Sequence, residues 1–203
     1  MAVKAEDRRV RRTRTLLQDA LIALILEKGY EAVTVQDIID RADVGRSTFY
    51  AHFLDKQQLL LSRVEELHVF LAQQHAQGVT SGERRLSFSL AMFQHAQSYR
   101  HVYQALVGKQ GGTIVLRHIQ QMLTGLVRDE VARVAPRDGS ATVPSEVLVQ
   151  YIVGAFLALL TWWVDDEQHY TPEQMDALFT RLTLPGVLAG LGQRDQEFPN
   201  KHY

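Results

Sequence analysis

Residues 33–56 constrain the fold more than any other stretch, because they predict two short helices joined by a tight turn. Thr34 and Asp37 have the spacing of a capping box, in which each side chain bonds the other residue's backbone N–H at a helix start. Asp43 tolerates the left-handed backbone that a tight turn needs, and Gly45 can serve as the N-cap of the second helix. A further helix is expected to begin at Lys56.

The second short helix has two chemically different sides. Phe49 and Phe53 are four residues apart, so they share one side, which can be buried. The remaining surface is small, hydroxylic and basic, and it is formed by Arg46, Ser47, Thr48, Tyr50 and Ala51. A short helix of this kind suits the major groove of DNA. Arg46 and Ser47 are therefore the first candidates for base-edge contacts, Thr48 for a base or a phosphate, and Gln36 of the preceding helix for either.

The sequence A-D-V-G-R-S-T-F-Y-A-H-F, followed by L-D-K-Q-Q-L-L, resembles the helix-turn-helix signature of the TetR family of bacterial transcription regulators. The positions that fit the family pattern are Val44, Thr48, Phe49, Tyr50, His52, Phe53 and Lys56. The chain departs from the pattern at Asp43, where Gly is usual, and at Gly45, where Ser or Thr is usual. The resemblance is close over about the first quarter of the chain and is one of architecture beyond it.

The resemblance implies that Tyr50, His52 and Lys56 contact DNA phosphates. For Tyr50 the alternative is a half-buried packing aromatic, and for Lys56 it is a solvated surface lysine. Lys56 also begins a helix, where free backbone N–H groups attract a phosphate.

The charge of the chain is unevenly distributed. Residues 1–14 carry six basic and two acidic side chains, a local charge of +4, while the net charge of the whole chain is −1. A basic arm on a mildly acidic body indicates a polyanionic partner at one end only. The alternative is a solvated tail, but beside a helix-turn-helix such arms reach DNA phosphates or an adjacent minor groove.

Composition excludes several other classes of protein. The chain contains no cysteine, which excludes disulfides, thiol catalysis and thiolate metal sites. Its basic N-terminus has no apolar core before a helix begins, so it is not a signal peptide, and a cytoplasmic location is expected.

Catalysis, a cofactor and a metal are not expected. No strand pattern supports a phosphate or dinucleotide loop, and G-K-Q-G-G at residues 108–112 is interpreted as a turn between helices. His68 and His75 lie seven residues apart on one helix side, without a third ligand in register, so surface or core histidines are preferred to a metal site.

Helical periodicity continues to the C-terminus and predicts an all-α fold. Residues 1–55 are expected to form a three-helix DNA-binding domain and residues 56–203 a larger helical ligand-binding and dimerisation domain. The first helix should start at about Arg9 and a later one at Thr113, and Pro185 should kink or end the last.

Residues 146–164 are the most apolar segment of the chain. Gln150, Thr161 and acidic flanks argue against a membrane span, whereas Gly154, Ala155 and Ala158 offer a flat strip to another helix. The two C-terminal helices are therefore expected to meet their copies in a homodimeric four-helix bundle. The alternative is that they complete a monomeric core.

The resemblance also implies a small-molecule effector within the C-terminal helices. The pocket candidates, each of which could equally be plain core, are Phe93, Tyr103, His118, Met122, Tyr151, Phe156, Trp162 and Trp163. The function expected is a repressor that binds a palindromic operator and is released by a ligand. Two alternatives remain: a DNA-tethered protein-interaction factor without an inducer, and a helical ligand-binding or catalytic bundle with a vestigial motif.

Overall fold

The computed structural model describes residues 2–80, 86, 88–106, 110–136, 140–165 and 170–192. The regular secondary structure of this described part is helical, as the periodicity predicts. Its helices are α1 (Ala2–Lys28), α2 (Val35–Ala42), α3 (Arg46–His52), α4 (Lys56–Thr80), α5 (Ser89–Ser98), α6 (Arg100–Leu106), α7 (Gln110–Val134), α8 (Ser145–Asp165) and α9 (Pro172–Gly190).

The helices form two compact units. The first unit takes the described residues of Met1–Phe70 and Tyr99–Ile119, and the second takes those of Leu71–Ser98 and Gln120–Tyr203. Helices α4 and α7 therefore contribute residues to both units. The expected domain boundary after residue 55 stays a prediction.

The local signals around α2 and α3 form as the sequence predicts. Thr34 Oγ1 accepts a hydrogen bond from the backbone N–H of Asp37 at 3.2 Å, and Asp37 Oδ2 accepts one from the N–H of Thr34 at 2.7 Å. Asp43 ends α2 in the left-handed region with φ 51°, and Gly45 is the N-cap of α3. Two caps and one left-handed residue thus fix the turn between the two helices.

Asp37 also makes the stability of the start of α2 depend on pH. Its hydrogen bond with the Lys28 ammonium, 2.8 Å away, is the main cause that lowers the pKa of Asp37 well below its ordinary value of 3.8, and its bonds with Thr34 lower it further. A depressed folded-state pKa stabilises the fold above the unfolded pKa, and this contribution is lost as the pH falls through the folded pKa.

We therefore expect Asp37→Asn to lower the urea midpoint of unfolding at neutral pH. The difference from the parent protein should shrink steadily as the pH is lowered from about 5 to about 2, because the Asp37 carboxyl of the unfolded parent chain takes up a proton there while that of the folded chain resists protonation. Urea titrations at several pH values would measure this. A difference that stays constant over that range would contradict the role given to the Asp37 carboxylate.

Helix α1 is held in the first unit by an apolar side and by a buried amide. The predicted apolar residues Leu17, Leu21, Leu24 and Ile25 are all buried. Gln18 is 1% exposed, and its Nε2 donates to Ser62 Oγ at 2.9 Å and to Glu66 Oε1 at 2.8 Å, one turn apart on α4. Both protons of the buried amide are therefore satisfied, and α1 is fixed against the start of α4.

Two predicted helix starts are wrong. Helix α1 begins at Ala2 rather than Arg9. Pro185 does not end α9, which continues to Gly190, so the kink is the alternative that stays a prediction. Helix α7 begins at Gln110 rather than Thr113, so Gly111 and Gly112 lie inside a helix and not in a turn. Residues 108 and 109 of the predicted turn lie outside the described part. A Cβ atom at Gly111 would come within 2.9 Å of the Tyr30 ring and of the Leu106 side chain. The glycine is needed for close packing, which a local pattern does not reveal.

The second unit is built around five aromatic residues. This aromatic cluster consists of Phe88, Phe93, Phe156, Trp163 and Phe179, all buried, with neighbouring ring centroids 5.0–6.2 Å apart. Trp163 Nε1 donates to the Tyr170 carbonyl at 3.0 Å, so its polar atom is satisfied as well. The rings come from α5, α8, α9 and the residue before α5, and they hold these elements together.

Helix α8 is long and apolar enough to cross a membrane by length and composition, but core helices of soluble proteins pass the same test. Its inner side packs in the second unit through eight buried residues, which include Leu148, Ile152 and Phe156. The outer side is also apolar. It carries an exposed stripe that we call the α8 stripe and that consists of Val147, Tyr151, Gly154, Ala158 and Trp162.

Candidate nucleic-acid interface

Helix α3 is anchored from one side by its two phenylalanines. Phe49 and Phe53 are 0% and 2% exposed, and their ring centroids are 6.1 Å apart. The guanidinium of Arg14 on α1 lies 4.8 Å from the centre of the Phe53 ring, a cation–π contact that connects the basic start of the chain to α3. The sequence pattern did not single out Arg14. The local pattern at this position is an arginine one turn before the first buried leucine of α1. That pattern is too common in helices to predict a contact with Phe53.

The opposite side of α3 is open to solvent, as predicted. Arg46, Ser47, Tyr50 and Ala51 are exposed, and Thr48 is half-buried. The Arg46 guanidinium lies 5.6 Å from the centre of the Tyr50 ring, so a cation and an aromatic hydroxyl are presented together. The arrangement offers hydrogen-bond donors and a positive charge on one face of a short, firmly held helix, which are the properties needed to read a groove.

The candidate residues that lie outside the exposed side of α3 differ in their exposure and in the contacts they make. Gln36 is exposed on α2, but its Nε2 donates to Asp40 Oδ1 at 2.8 Å, a bond that a base contact would have to replace. His52 is half-buried at the end of α3, with its ring centroid 6.4 Å from that of Phe53. Arg8, Arg9, Arg11 and Arg12 of the basic segment are exposed on α1, so this part of the segment is helical rather than an extended arm. The side chain of Lys4 lies outside the described residues.

Lys56 is the candidate whose surroundings differ most from the expectation. Its ammonium donates to the carbonyls of Tyr30 at 2.9 Å, Glu31 at 3.3 Å and Val33 at 2.7 Å, and it lies 4.5 Å from the centre of the Tyr30 ring. An ammonium has three protons, and all three point to carbonyls of the corner between α1 and α2. A phosphate contact by this side chain would compete with these bonds.

Tyr30 makes this corner a meeting point of three helices in the first unit. Its ring contacts the Lys56 ammonium, and a Cβ atom added at Gly111, at the start of α7, would come within 2.9 Å of the same ring. Glu31 Oε1 accepts a hydrogen bond from the Gly111 N–H at 3.3 Å. Burial raises the pKa of the Tyr30 phenol, and the nearby Asp55 and Glu31 carboxylates raise it further. The corner is therefore stabilised by tertiary contacts from both α4 and α7.

The start of α4 carries a second capping arrangement that the sequence pattern missed in part. Asp55 Oδ1 accepts from the Gln58 N–H at 2.7 Å, and Gln58 Oε1 accepts from the Leu54 N–H at 2.6 Å. Leu54 itself is 76% exposed beside the C-terminal end of α3. An aspartate and a glutamine three residues apart were a usable signal for this cap.

The predicted effector-pocket residues lie in three different surroundings. Phe93, Phe156 and Trp163 belong to the aromatic cluster and fill one another's space. Tyr151 and Trp162 are 50% and 46% exposed in the α8 stripe.

The other three pocket candidates are divided between the units. Met122 is buried in the second unit, whereas Tyr103 and His118 belong to the first and are half-buried. Their assignment to a ligand pocket stays a prediction. Among the residues that the structure describes, no group of three or more His, Asp or Glu side chains could hold a metal ion, and the His75 side chain lies outside them.

Known proteins match both parts of the chain. A model of bacterial regulatory proteins of the TetR family matches residues 17–62, and a model of a transcriptional regulator C-terminal region matches residues 84–184. YxbF, an uncharacterized HTH-type transcriptional regulator of Bacillus subtilis, is 40% identical over 63 residues, which are 30% of this chain and 17% of that protein. KstR, an HTH-type transcriptional repressor of Mycobacterium tuberculosis, is 45% identical over 58 residues, which are 29% of this chain and 26% of that protein. The chain thus spans less than a third of the length of these curated relatives.

The fold also matches solved structures over most of the chain. A TetR-family transcriptional regulator from Syntrophomonas wolfei superposes with a TM-score of 0.70 at 19% identity, covering 88% of this chain and 96% of that one. At this identity the likeness concerns the fold alone. This likeness of fold, the two family models and the anchored α3 helix agree on the same family. The chain belongs to the TetR family of bacterial transcriptional regulators.

Proposed function

We propose that the protein is a cytoplasmic, homodimeric transcriptional repressor that binds a palindromic DNA operator and is released when a small molecule binds the second unit. The observation that carries the DNA-binding part is the sidedness of α3. Its two phenylalanines are buried, while Arg46, Ser47 and Tyr50 are exposed together. The repressor function of the relative KstR supports the sign of regulation.

Within this proposal Arg46 and Ser47 contact base edges, and Thr48 and Gln36 contact a base or a phosphate. Tyr50 and His52 contact phosphates on either side of the groove. The Lys56 side chain supports the corner between α1 and α2. The phosphate contact near it comes instead from those backbone N–H groups at the start of α4 that the Asp55 cap does not use. The exposed arginines of α1 add attraction to phosphates that depends on salt but not on sequence.

Dimerisation is supported by apolar surface on the second unit. The α8 stripe repeats every three or four residues and so forms one continuous face, and Leu178 and Leu182 are exposed on α9. A Cβ atom added at Gly154 would meet nothing within 4 Å, so a second backbone can approach the middle of the stripe closely. An apolar face of this kind is covered in a two-fold interface, where each residue contributes twice.

The experiment that tests the proposal is a binding titration with DNA selected by the purified protein from its own genome. We expect Arg46→Ala to weaken operator binding by about 1–3 kcal/mol, because a bidentate contact with a guanine is lost. The preference at one base pair of each half-site should relax, which fluorescence anisotropy with single-base variants of the operator would measure.

Arg41→Ala is the matched control, since Arg41 is an exposed arginine on α2 that pairs with Glu27 at a distance of 2.5 Å. It should change affinity little and leave the base preference intact. If Arg46→Ala instead weakens all DNA sequences equally, Arg46 is a phosphate contact and the base assignment is wrong.

A further inference from the structure

A cavity of about 310 Å³ lies within the second unit. Eight aliphatic side chains form its wall: Leu86 before α5, Leu191 after α9, and residues of α7, α8 and α9 that include Val131, Ile152, Val187 and Leu188. Glu130 and Arg133 of α7 are the polar residues of the wall. The residues of the aromatic cluster do not line this cavity, which is therefore separate from the positions that the sequence suggested for a ligand.

The size and chemistry of the cavity suit a small apolar molecule. Pockets that bind small molecules begin at about 300 Å³ and combine an apolar wall with a few polar groups that fix orientation. The aliphatic side chains of the wall lack packing contacts on the side that faces the cavity. A hydrocarbon body would supply those contacts.

The two charged residues of the wall are not equivalent. Glu130 Oε2 is shielded from solvent, whereas Arg133 is exposed and its Nε donates to the Asp129 carbonyl of its own helix at 3.1 Å. A charge shielded from water acts more strongly on a ligand than an exposed one, which solvent and salt screen. The shielded carboxylate oxygen therefore favours a cationic group of a ligand over an anionic one.

We propose that this cavity binds a small amphiphilic cation, that is, a hydrocarbon body with one protonated amine that faces Glu130. The body packs against Val131, Ile152 and Val187, and the ammonium donates to the carboxylate. The binding of such an amine is a property of the second unit alone. Its effect on DNA rests on the proposed function.

The cavity also suggests how the amine would act on the dimer. Ile152 lines it from the inner side of α8, while the adjacent Tyr151 belongs to the α8 stripe. Val187 lines it from α9, next to the exposed Gly186. A ligand that fits only one arrangement of these two helices favours the dimer geometry belonging to that arrangement.

The test uses the full-length protein without DNA and three probes with the same eight-carbon chain: octylamine, octanol and octanoate. Isothermal titration should give octylamine an affinity at least about tenfold higher than that of octanoate. Glu130→Gln keeps the shape of the side chain and removes its charge. It should lower the affinity for octylamine by about tenfold or more while changing that for octanol little.

Val131→Phe fills the cavity and should abolish binding of octylamine and octanol. Leu188→Phe, at a half-buried position of the same wall, takes its place if Val131→Phe does not fold. Octylamine binding that is unchanged in the folded filled variant would overturn the cavity as the binding site. Octanoate binding as tight as octylamine binding, or no effect of Glu130→Gln, would overturn the preference for a cation. Operator affinity is then measured separately by fluorescence anisotropy with and without saturating octylamine. Octylamine binding as expected with unchanged operator affinity would support the site and overturn the inducer part of the proposed function.

Discussion

Replacing Lys56 with methionine is expected to lower the free energy of unfolding by about 2 kcal/mol. Methionine retains most of the apolar length of the side chain but removes the three hydrogen bonds to the carbonyls of Tyr30, Glu31 and Val33. Hydrogen bonds of a charged donor are worth more than neutral ones, and the loss leaves partly buried carbonyls without this donor. Chemical denaturation of the purified variant would measure the change.

The same variant separates support of the fold from contact with DNA. The slope of log K against log salt concentration should stay as in the parent protein, because no phosphate contact is removed. Lys28→Met is the matched control: Lys28 forms a partly exposed ion pair with Asp37 at 2.8 Å, and its loss should lower the stability much less than the loss of Lys56 does. Unchanged stability of Lys56→Met together with a slope reduced by about 1 would instead assign Lys56 to a phosphate.

Introducing a charge into the α8 stripe is expected to have the largest effect on DNA binding. Ala158 is exposed near the middle of the stripe, so Ala158→Glu should fold as a monomer. In the proposed two-fold interface each substitution is present twice, and two unpaired carboxylates in an apolar contact should weaken association by about 3 kcal/mol or more. Operator affinity should then fall by more than about a hundredfold, because a monomer holds only one half-site.

Sedimentation equilibrium would measure the association, and anisotropy with full operators and with half-sites would measure the DNA affinity. Ala132→Glu is the matched control, since Ala132 is exposed on α7 and lies outside the stripe. It should leave both the dimer and the operator affinity unchanged. An Ala158→Glu variant that remains dimeric would show that the subunits meet elsewhere.

Lys56→Met and Ala158→Glu test two different requirements for DNA binding. Lys56 supports the corner between α1 and α2. In the proposed dimer, the α8 stripe pairs two DNA-binding units. A defect of the first kind lowers stability and leaves the number of phosphate contacts unchanged. A defect of the second kind leaves each subunit folded and removes half of the contacts at once.

The sequence by itself determined the features that depend on residues a few positions apart. The capping box of Thr34 and Asp37, the left-handed Asp43 and the N-cap at Gly45 follow from short-range geometry, and all of them are present. The burial of Phe49 and Phe53 on one side of α3 also follows from helical spacing alone. The all-α fold and the family were predictable for the same reason, because the motif that identifies them is local.

The tertiary structure decided what depends on distant residues approaching each other. The ammonium of Lys56 turns towards the carbonyls of residues 30–33 because that corner lies beside it, and Gly111 lies in a helix because the Tyr30 ring approaches it. Phe93, Phe156 and Trp163 are conspicuous in the sequence, yet they fill one another's space. The cavity beside Glu130 is lined instead by common aliphatic residues of three helices. A void arises where side chains from separate segments fail to meet, and no spacing along the chain records that.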